Sequence, residues 1–217
     1  MTLNNKYKIE FLIVLISVVF LWDTIFLYPI QILITMIHES FHGLAALITG
    51  GRIGEITLSG LSGKISTYGG LYPVISVSGY IGTAALGAWL IGTKVNEGFL
   101  KVIIIILLGY LLLVSALYLE FSLKFFILVP WVGLIIYFVL RSKYVKDISF
   151  MFGLFMSIAA LEDVKTYLWS IPSETDAGLL ARHLGLELLT LPIAIFMSVI
   201  SLYFLYLGVR ARIIRER

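Results

Sequence analysis

The chain has 217 residues, of which 60% are hydrophobic and only 13% are charged, and its mean hydropathy is +1.02. A soluble domain of this size carries about twice that share of charged residues, so the composition excludes an ordinary water-soluble protein and predicts an integral membrane protein. The absence of cysteine excludes disulfides, cysteine metal ligands and thiol nucleophiles.

A membrane-spanning helix needs about 20 consecutive apolar residues. The sequence contains seven such stretches, and Pro29 separates the first from the second because proline favours the start of a helix. We therefore predict an all-α membrane protein, a polytopic bundle of about six to seven transmembrane helices. The predicted spans are residues 9–28, 29–49, 71–91, 100–119, 123–140, 148–169 and 188–208.

The second predicted span carries His38, Glu39 and His42 in the order His-Glu-x-x-His. Residues four apart share one face of a helix, so the two imidazoles can bind one metal ion, and Glu39 can reach a water molecule beside it. The alternative is a pair of histidines four residues apart with no shared ligand. Ionisable residues inside a membrane are costly and usually functional, which favours the metal site.

Residues 50–70 differ from the rest of the chain because they are rich in glycine and alternate in character. The pattern predicts one or two short strands, or alternatively an ordinary glycine-rich loop. The third span that follows is rich in small residues, which let membrane helices approach closely. We expect this span to pack against the helix that carries the histidines.

A catalytic zinc ion usually has three protein ligands, so the histidine pair requires a third. Asp176 is favoured because it follows Pro172 and precedes a stretch able to begin a helix, although an aspartate there can instead be an N-cap. Asp163 is the reserve candidate. The acidic and histidine candidates together are Glu162, Asp163, Asp176, His183 and Glu187.

The motif from His38 to Gly43, the strand-like loop after it and the sequence Ser78-Gly79-Tyr80-Ile81-Gly82 together resemble the site-2 protease family. Those proteins are intramembrane zinc metalloproteases, and the likeness is to their compact, M50B-like branch. The resemblance covers roughly residues 30–90 and 150–185. It implies that the aspartate after Ile171-Pro172, which is Asp176, is the third zinc ligand. The chain departs from the family pattern in lacking an Asn-Pro pair and in having Ala177 where glycine is usual.

These observations predict a zinc-dependent intramembrane endopeptidase, in which His38, His42 and Asp176 hold Zn²⁺ and Glu39 is the general base. We expect one integral membrane domain over residues 1–217, multi-pass in the cell membrane. Its expected partners are the lipid bilayer and a membrane-spanning protein substrate, and no nucleic acid.

Two alternatives remain open at this stage. One is a different membrane metalloprotease, with Glu187 as the third ligand. The other is a non-catalytic membrane protein, either a transporter or a protease relative that binds partners. The basic tail, with Arg210, Arg212, Arg215 and Arg217, is expected to be a topology signal or a lipid-headgroup contact.

Overall fold

Helices form most of the chain, and one short hairpin interrupts them. The computed structural model describes residues 5–22, 24–59, 62–119, 123–159 and 174–215. The predicted predominance of helices is confirmed within these residues, which also contain a small two-stranded sheet. The helices are α1 (Asn5–Leu21), α2 (Tyr28–Ile48), α3 (Tyr72–Gly92), α4 (Glu97–Tyr118), α5 (Leu123–Arg141), α6 (Val145–Ala159), α7 (Asp176–His183) and α8 (Thr190–Arg215), with a 3-10 turn at Glu187–Leu189 and strands β1 (Arg52–Ser59) and β2 (Ser62–Tyr68).

Four helical segments in the described part of the chain are long and apolar enough to cross a membrane: Tyr28–Ile48, Tyr72–Gly92, Glu97–Tyr118 and Glu187–Ile214. The segment Leu128–Arg141 is apolar but shorter. The predicted sixth span is described only as far as Ala159. The number of spans, six to seven by sequence, therefore stays a prediction.

The boundary between the first two helices differs from the sequence-based prediction of a span over residues 9–28. Helix α1 ends at Leu21 after 17 residues, and α2 begins at Tyr28 with Pro29 in its first turn. Thr24 accounts for part of the difference, because its hydroxyl and its backbone N–H both donate to the Leu21 carbonyl and form a local turn.

A hydrogen bond links the end of α2 to the start of α3, although the hairpin separates them in the chain. Gly50 adopts a positive φ of 86°, and the N–H of Gly51 donates to the Ala46 carbonyl at 2.7 Å, which terminates the helix. The Thr49 hydroxyl accepts a hydrogen bond from the Leu71 N–H at 3.0 Å. The hairpin between these helices therefore leaves and returns at the same point.

Strands β1 and β2 are antiparallel, so the strand prediction for residues 50–70 is confirmed over a plain loop. Their register runs from Arg52 opposite Tyr68 to Ser59 opposite Ser62, with an irregularity between Ile53 and Ile56. The hairpin folds back along α2. A methyl group added at Gly63 would lie 2.7 Å from Oε1 of Glu39, so β2 reaches the glutamate of the motif.

Helix α3 is the central helix, and its small residues allow close contact on several sides. Gly82 lies against the ring of Phe41 on α2, which confirms the predicted packing of the third span on the histidine helix. A methyl group at Gly87 would lie 2.7 Å from the Gly153 carbonyl on α6. On α8, a methyl group at Gly208 would lie 2.7 Å from the Ala88 carbonyl.

The basic carboxyl-terminal residues belong to α8, which continues to Arg215. Arg212 is only 2% exposed, and its guanidinium lies 4.2 Å from the ring centroid of Tyr7 and 5.4 Å from that of Phe150. The prediction of a lipid-headgroup contact is therefore wrong for Arg212, whereas the topology signal stays a prediction. The Arg212 side chain instead packs on α1 and α6.

Candidate metal site

His38 and His42 lie one turn apart on α2, and their Nε2 atoms are 3.0 Å from each other. Oδ2 of Asp176, the first residue of α7, is 3.0 Å from Nε2 of His38 and 3.1 Å from Nε2 of His42. These three atoms therefore form a nearly equilateral triangle. In the described part of the chain this is the group of potential ligands close enough to share one ion.

The three donor atoms suit a tetrahedral divalent metal. Ligand atoms about 2.0 Å from a tetrahedral zinc ion stand about 3.3 Å apart, so the measured separations are shorter by only a few tenths of an ångström. Small rotations of the side chains would close that difference. Two imidazoles and one carboxylate also leave one coordination position open, which is typical of a catalytic zinc site.

The ring of His42 is held by the backbone of α3. Its Nδ1–H donates to the Ile75 carbonyl at 2.6 Å, so that in the neutral, metal-binding form of the ring the lone pair of Nε2 is directed at the candidate site. The hydroxyl of Ser78 lies 2.6 Å from the same carbonyl oxygen. His42 is thus oriented by a hydrogen bond of the kind that commonly supports metal-binding histidines.

Helix α3 also supplies the space that the two rings occupy. A methyl group at Gly79 would collide with Nε2 of both His38 and His42. The ring of the next residue, Tyr80, packs edge-to-face on His38, with centroids 4.6 Å apart and an interplanar angle of 81°. Gly79 and Tyr80 therefore form the wall behind the donor atoms.

Glu39 faces the hairpin and is only 5% exposed. Gly63 lies directly against it: an added methyl group there would be 2.7 Å from Oε1 and 2.8 Å from Cγ of Glu39. The carboxylate of the motif is therefore shielded from bulk solvent by β2. This contact was not predicted from the sequence, which indicated strands but not where the hairpin packs.

Asp176 is not the N-cap of α7, which corrects that alternative. The cap is Thr175, whose hydroxyl accepts a hydrogen bond from the Gly178 N–H at 3.1 Å. The Asp176 carboxylate is free to point at α2. Burial opposes its ionisation, but the charge of His42 and hydrogen bonds with both histidines outweigh burial and hold the pKa of Asp176 below its usual range.

The other ligand candidates stand differently. Glu187 is exposed in the 3-10 turn, and the exposed His183 stacks on Tyr72 with centroids 4.3 Å apart. Among the described residues, neither Glu187 nor His183 belongs to the candidate metal-binding group of His38, His42 and Asp176. Glu162 and the reserve candidate Asp163 lie outside the described residues, as does Pro172.

Some supporting residues were not predicted from the sequence. Ile75 acts through its carbonyl, Gly63 through its missing side chain and Thr175 as a helix cap. Only Thr175 had a recognisable signal, since a threonine before a short helix is a common N-cap. Carbonyl positions and close approaches depend on how separate segments pack, so no local pattern reveals them.

Comparison with known families shows which family the chain resembles. A family model described as Peptidase M50B-like matches residues 11–208, a range that contains His38, Glu39, His42 and Asp176. Neither the curated proteins nor the solved structures give a match. The suspected resemblance to the M50B-like branch is thereby confirmed. The chain, with its long apolar helices, belongs to the M50B-like peptidase family and is an integral membrane protein.

Proposed function

We propose that this protein is a zinc-dependent intramembrane endopeptidase, a multi-pass protein of the cell membrane that cleaves membrane-embedded segments of other proteins. One observation carries the proposal. Nε2 of His38, Nε2 of His42 and Oδ2 of Asp176 converge from α2 and α7 within 3.1 Å of one another, in a chain of a peptidase family. Two histidines and one carboxylate are a recurring ligand set of catalytic zinc sites, in which water occupies the fourth position.

In the proposed mechanism, the zinc ion would supply Lewis acidity toward the scissile carbonyl and the attacking water. His38, His42 and Asp176 hold the ion. Glu39 accepts a proton from the attacking water and then delivers it to the amine that leaves. Its burial against β2 keeps the carboxylate in a fixed direction and away from competing solvent.

The ligand assignment is tested by zinc content. We expect purified wild type to hold one equivalent of zinc, and His42→Ala and Asp176→Ala to lose it. Glu187→Ala is the matched control, since it removes a carboxylate that is exposed in the 3-10 turn. Loss of zinc in Glu187→Ala with retention in Asp176→Ala would favour the alternative type of metalloprotease instead.

The role of Glu39 is tested by Glu39→Gln, which keeps the shape of the side chain and removes its basicity. We expect zinc content to stay at the wild-type level while cleavage of a membrane-spanning substrate falls about 10²–10⁴-fold, the usual contribution of a general base. Unchanged cleavage with zinc still bound would refute the catalytic assignment and favour the non-catalytic alternatives, a transporter or a partner-binding relative.

We further propose that substrate binds the hairpin as an added strand. The edge of β1 that faces away from β2 is already partly paired, because Ile56 forms an isolated parallel β-bridge with Leu119. The outer edge of β2 pairs with no strand of the described chain, and β2 is the strand that lies against Glu39. An extended substrate paired with β2 would therefore run beside the proposed base, with main-chain hydrogen bonds providing affinity.

Replacing residues 62–68, which form β2, with a flexible linker tests this binding mode. We expect cleavage to be lost while zinc content is retained, because the ligands come from α2 and α7 and not from the hairpin. Cleavage at the wild-type rate by the linker variant would exclude strand addition.

A further inference from the structure

The two histidines are supported in different ways. His42 has the hydrogen bond from Nδ1 to the Ile75 carbonyl, at 2.6 Å. Among the described residues, the hydrogen-bonding contacts of His38 involve Nε2, the donor atom itself, and reach His42 and Asp176. His38 is therefore oriented by ring packing. Its ring lies edge-to-face with that of His42, at 4.7 Å and 78°, and with that of Tyr80, at 4.6 Å and 81°.

Tyr80 also shares a buried cluster with the helix that carries Asp176. It is buried in an apolar cluster with Ala177 and Leu180 of α7, and with Ala194 and Met197 of α8. Asp176 and Ala177 are the first two residues of α7. The first α7 residue in the cluster with Tyr80 therefore directly follows Asp176 in the chain. The Tyr80 ring thus packs on His38 of α2 and shares a buried cluster with α7, the helix that begins at Asp176.

We propose that Tyr80 is a positioning residue of the metal site, acting through its ring. On one side the ring fixes the orientation of His38, and on the other it sets the distance of α7 from α2. Both are needed for Oδ2 of Asp176 to approach Nε2 of His38. This inference rests on the proposed function only in assuming that the site holds a metal. Groups that orient metal ligands typically contribute about 10- to 100-fold in metal affinity.

The test is zinc affinity of the purified full-length protein, measured by competition with a chromophoric chelator. Tyr80→Leu keeps an apolar side chain but removes the ring, and we expect it to bind zinc about 10- to 100-fold more weakly. Tyr80→Phe keeps the ring and should bind zinc as wild type does. The absorption spectrum of the cobalt-substituted protein should change in Tyr80→Leu and not in Tyr80→Phe, because it reports ligand geometry.

Met197→Ala is the matched control, because it removes volume from the same buried cluster on the α8 side. We expect its zinc affinity to be unchanged. The proposal is overturned if Tyr80→Leu binds zinc as tightly as wild type, if Tyr80→Phe weakens binding as much as Tyr80→Leu, or if Met197→Ala weakens it equally. Wild type that binds no zinc would instead overturn the proposed function itself, so the two failures are distinguishable.

Discussion

Gly79 and Gly63 illustrate how missing side chains shape the candidate site. Gly79 lies where any β-carbon would meet the Nε2 atoms of His38 and His42, and Gly63 lies where it would meet the Glu39 carboxylate and Thr35. Neither glycine has a positive φ, so the backbone conformation does not require glycine at either position. Close approach is the reason for glycine at both.

Gly79→Ala is therefore expected to abolish zinc binding, because the added methyl group would displace both histidine donors. Gly109→Ala is the matched control: Gly109 is also helical, and a methyl group there meets no atom within 4 Å. Zinc content of the two purified variants decides the question. Equal zinc content in both variants would show that the histidines can move aside without cost.

At the scale of elements, α3 connects the parts of the site. It contacts α2 through Gly79 and Gly82, α6 through Gly87, and α8 through Ala88 and Gly92. Without a hydrophobic force between helices in lipid, such close packing is what holds membrane helices together. Displacing α6 or α8 from α3 would therefore disturb the wall on which the histidines rest.

Gly153→Ala tests this packing away from the donors. The added methyl group would lie 2.6 Å from the Gly87 carbonyl and 2.9 Å from the Ile91 side chain, so α6 must shift. We expect destabilisation of about 1–3 kcal/mol, the typical cost of overpacking, seen as a lower midpoint of thermal denaturation in detergent. Gly133→Ala on α5, where a methyl group meets open space, should leave the midpoint unchanged.

At the scale of the whole molecule, α1 and α8, the first and last described helices, meet at one end of the bundle. Lys6 on α1 forms an ion pair with Asp147 on α6 at 2.6 Å. Arg212 near the end of α8 lies over Tyr7 and is almost completely buried. Contact between Gly92 and Ala211 brings the end of α3 to the same place. The first and last described helices thereby both pack at the end of α3 that is farther from the metal site.

Arg212→Ala is expected to lower thermal stability by about 2 kcal/mol, the size of a cation–π interaction removed from water. Arg210→Ala, which removes an exposed guanidinium two residues earlier, should have a negligible effect. Thermal denaturation in detergent compares the two. Zinc content should be the same in both variants, because Arg212 lies far from the metal-binding atoms. Loss of zinc in Arg212→Ala alone would contradict the idea that Arg212 acts only on stability.

The sequence by itself determined the membrane class and the histidine pair. Composition reports directly on the solvent, since apolar residues in this number have no place in water, and the spacing of His38 and His42 is a property of one helical turn. It also indicated the strands of residues 50–70, since alternation and glycine punctuation are local patterns. The predicted end of the first span was wrong, because hydropathy does not register the local turn formed at Thr24.

Only the tertiary structure decided which distant groups meet the histidine pair. Asp176 lies 138 residues from His38 along the chain, and only folding brings its carboxylate to within 3.0 Å of the His38 ring. The sequence favoured Asp176 among five candidate ligands but could not measure a distance between segments. The position of Gly63 over Glu39, the cap at Thr175 and the burial of Arg212 have the same cause. Each depends on contacts between separate elements, and the free energy of such contacts is not encoded in any one stretch of the chain.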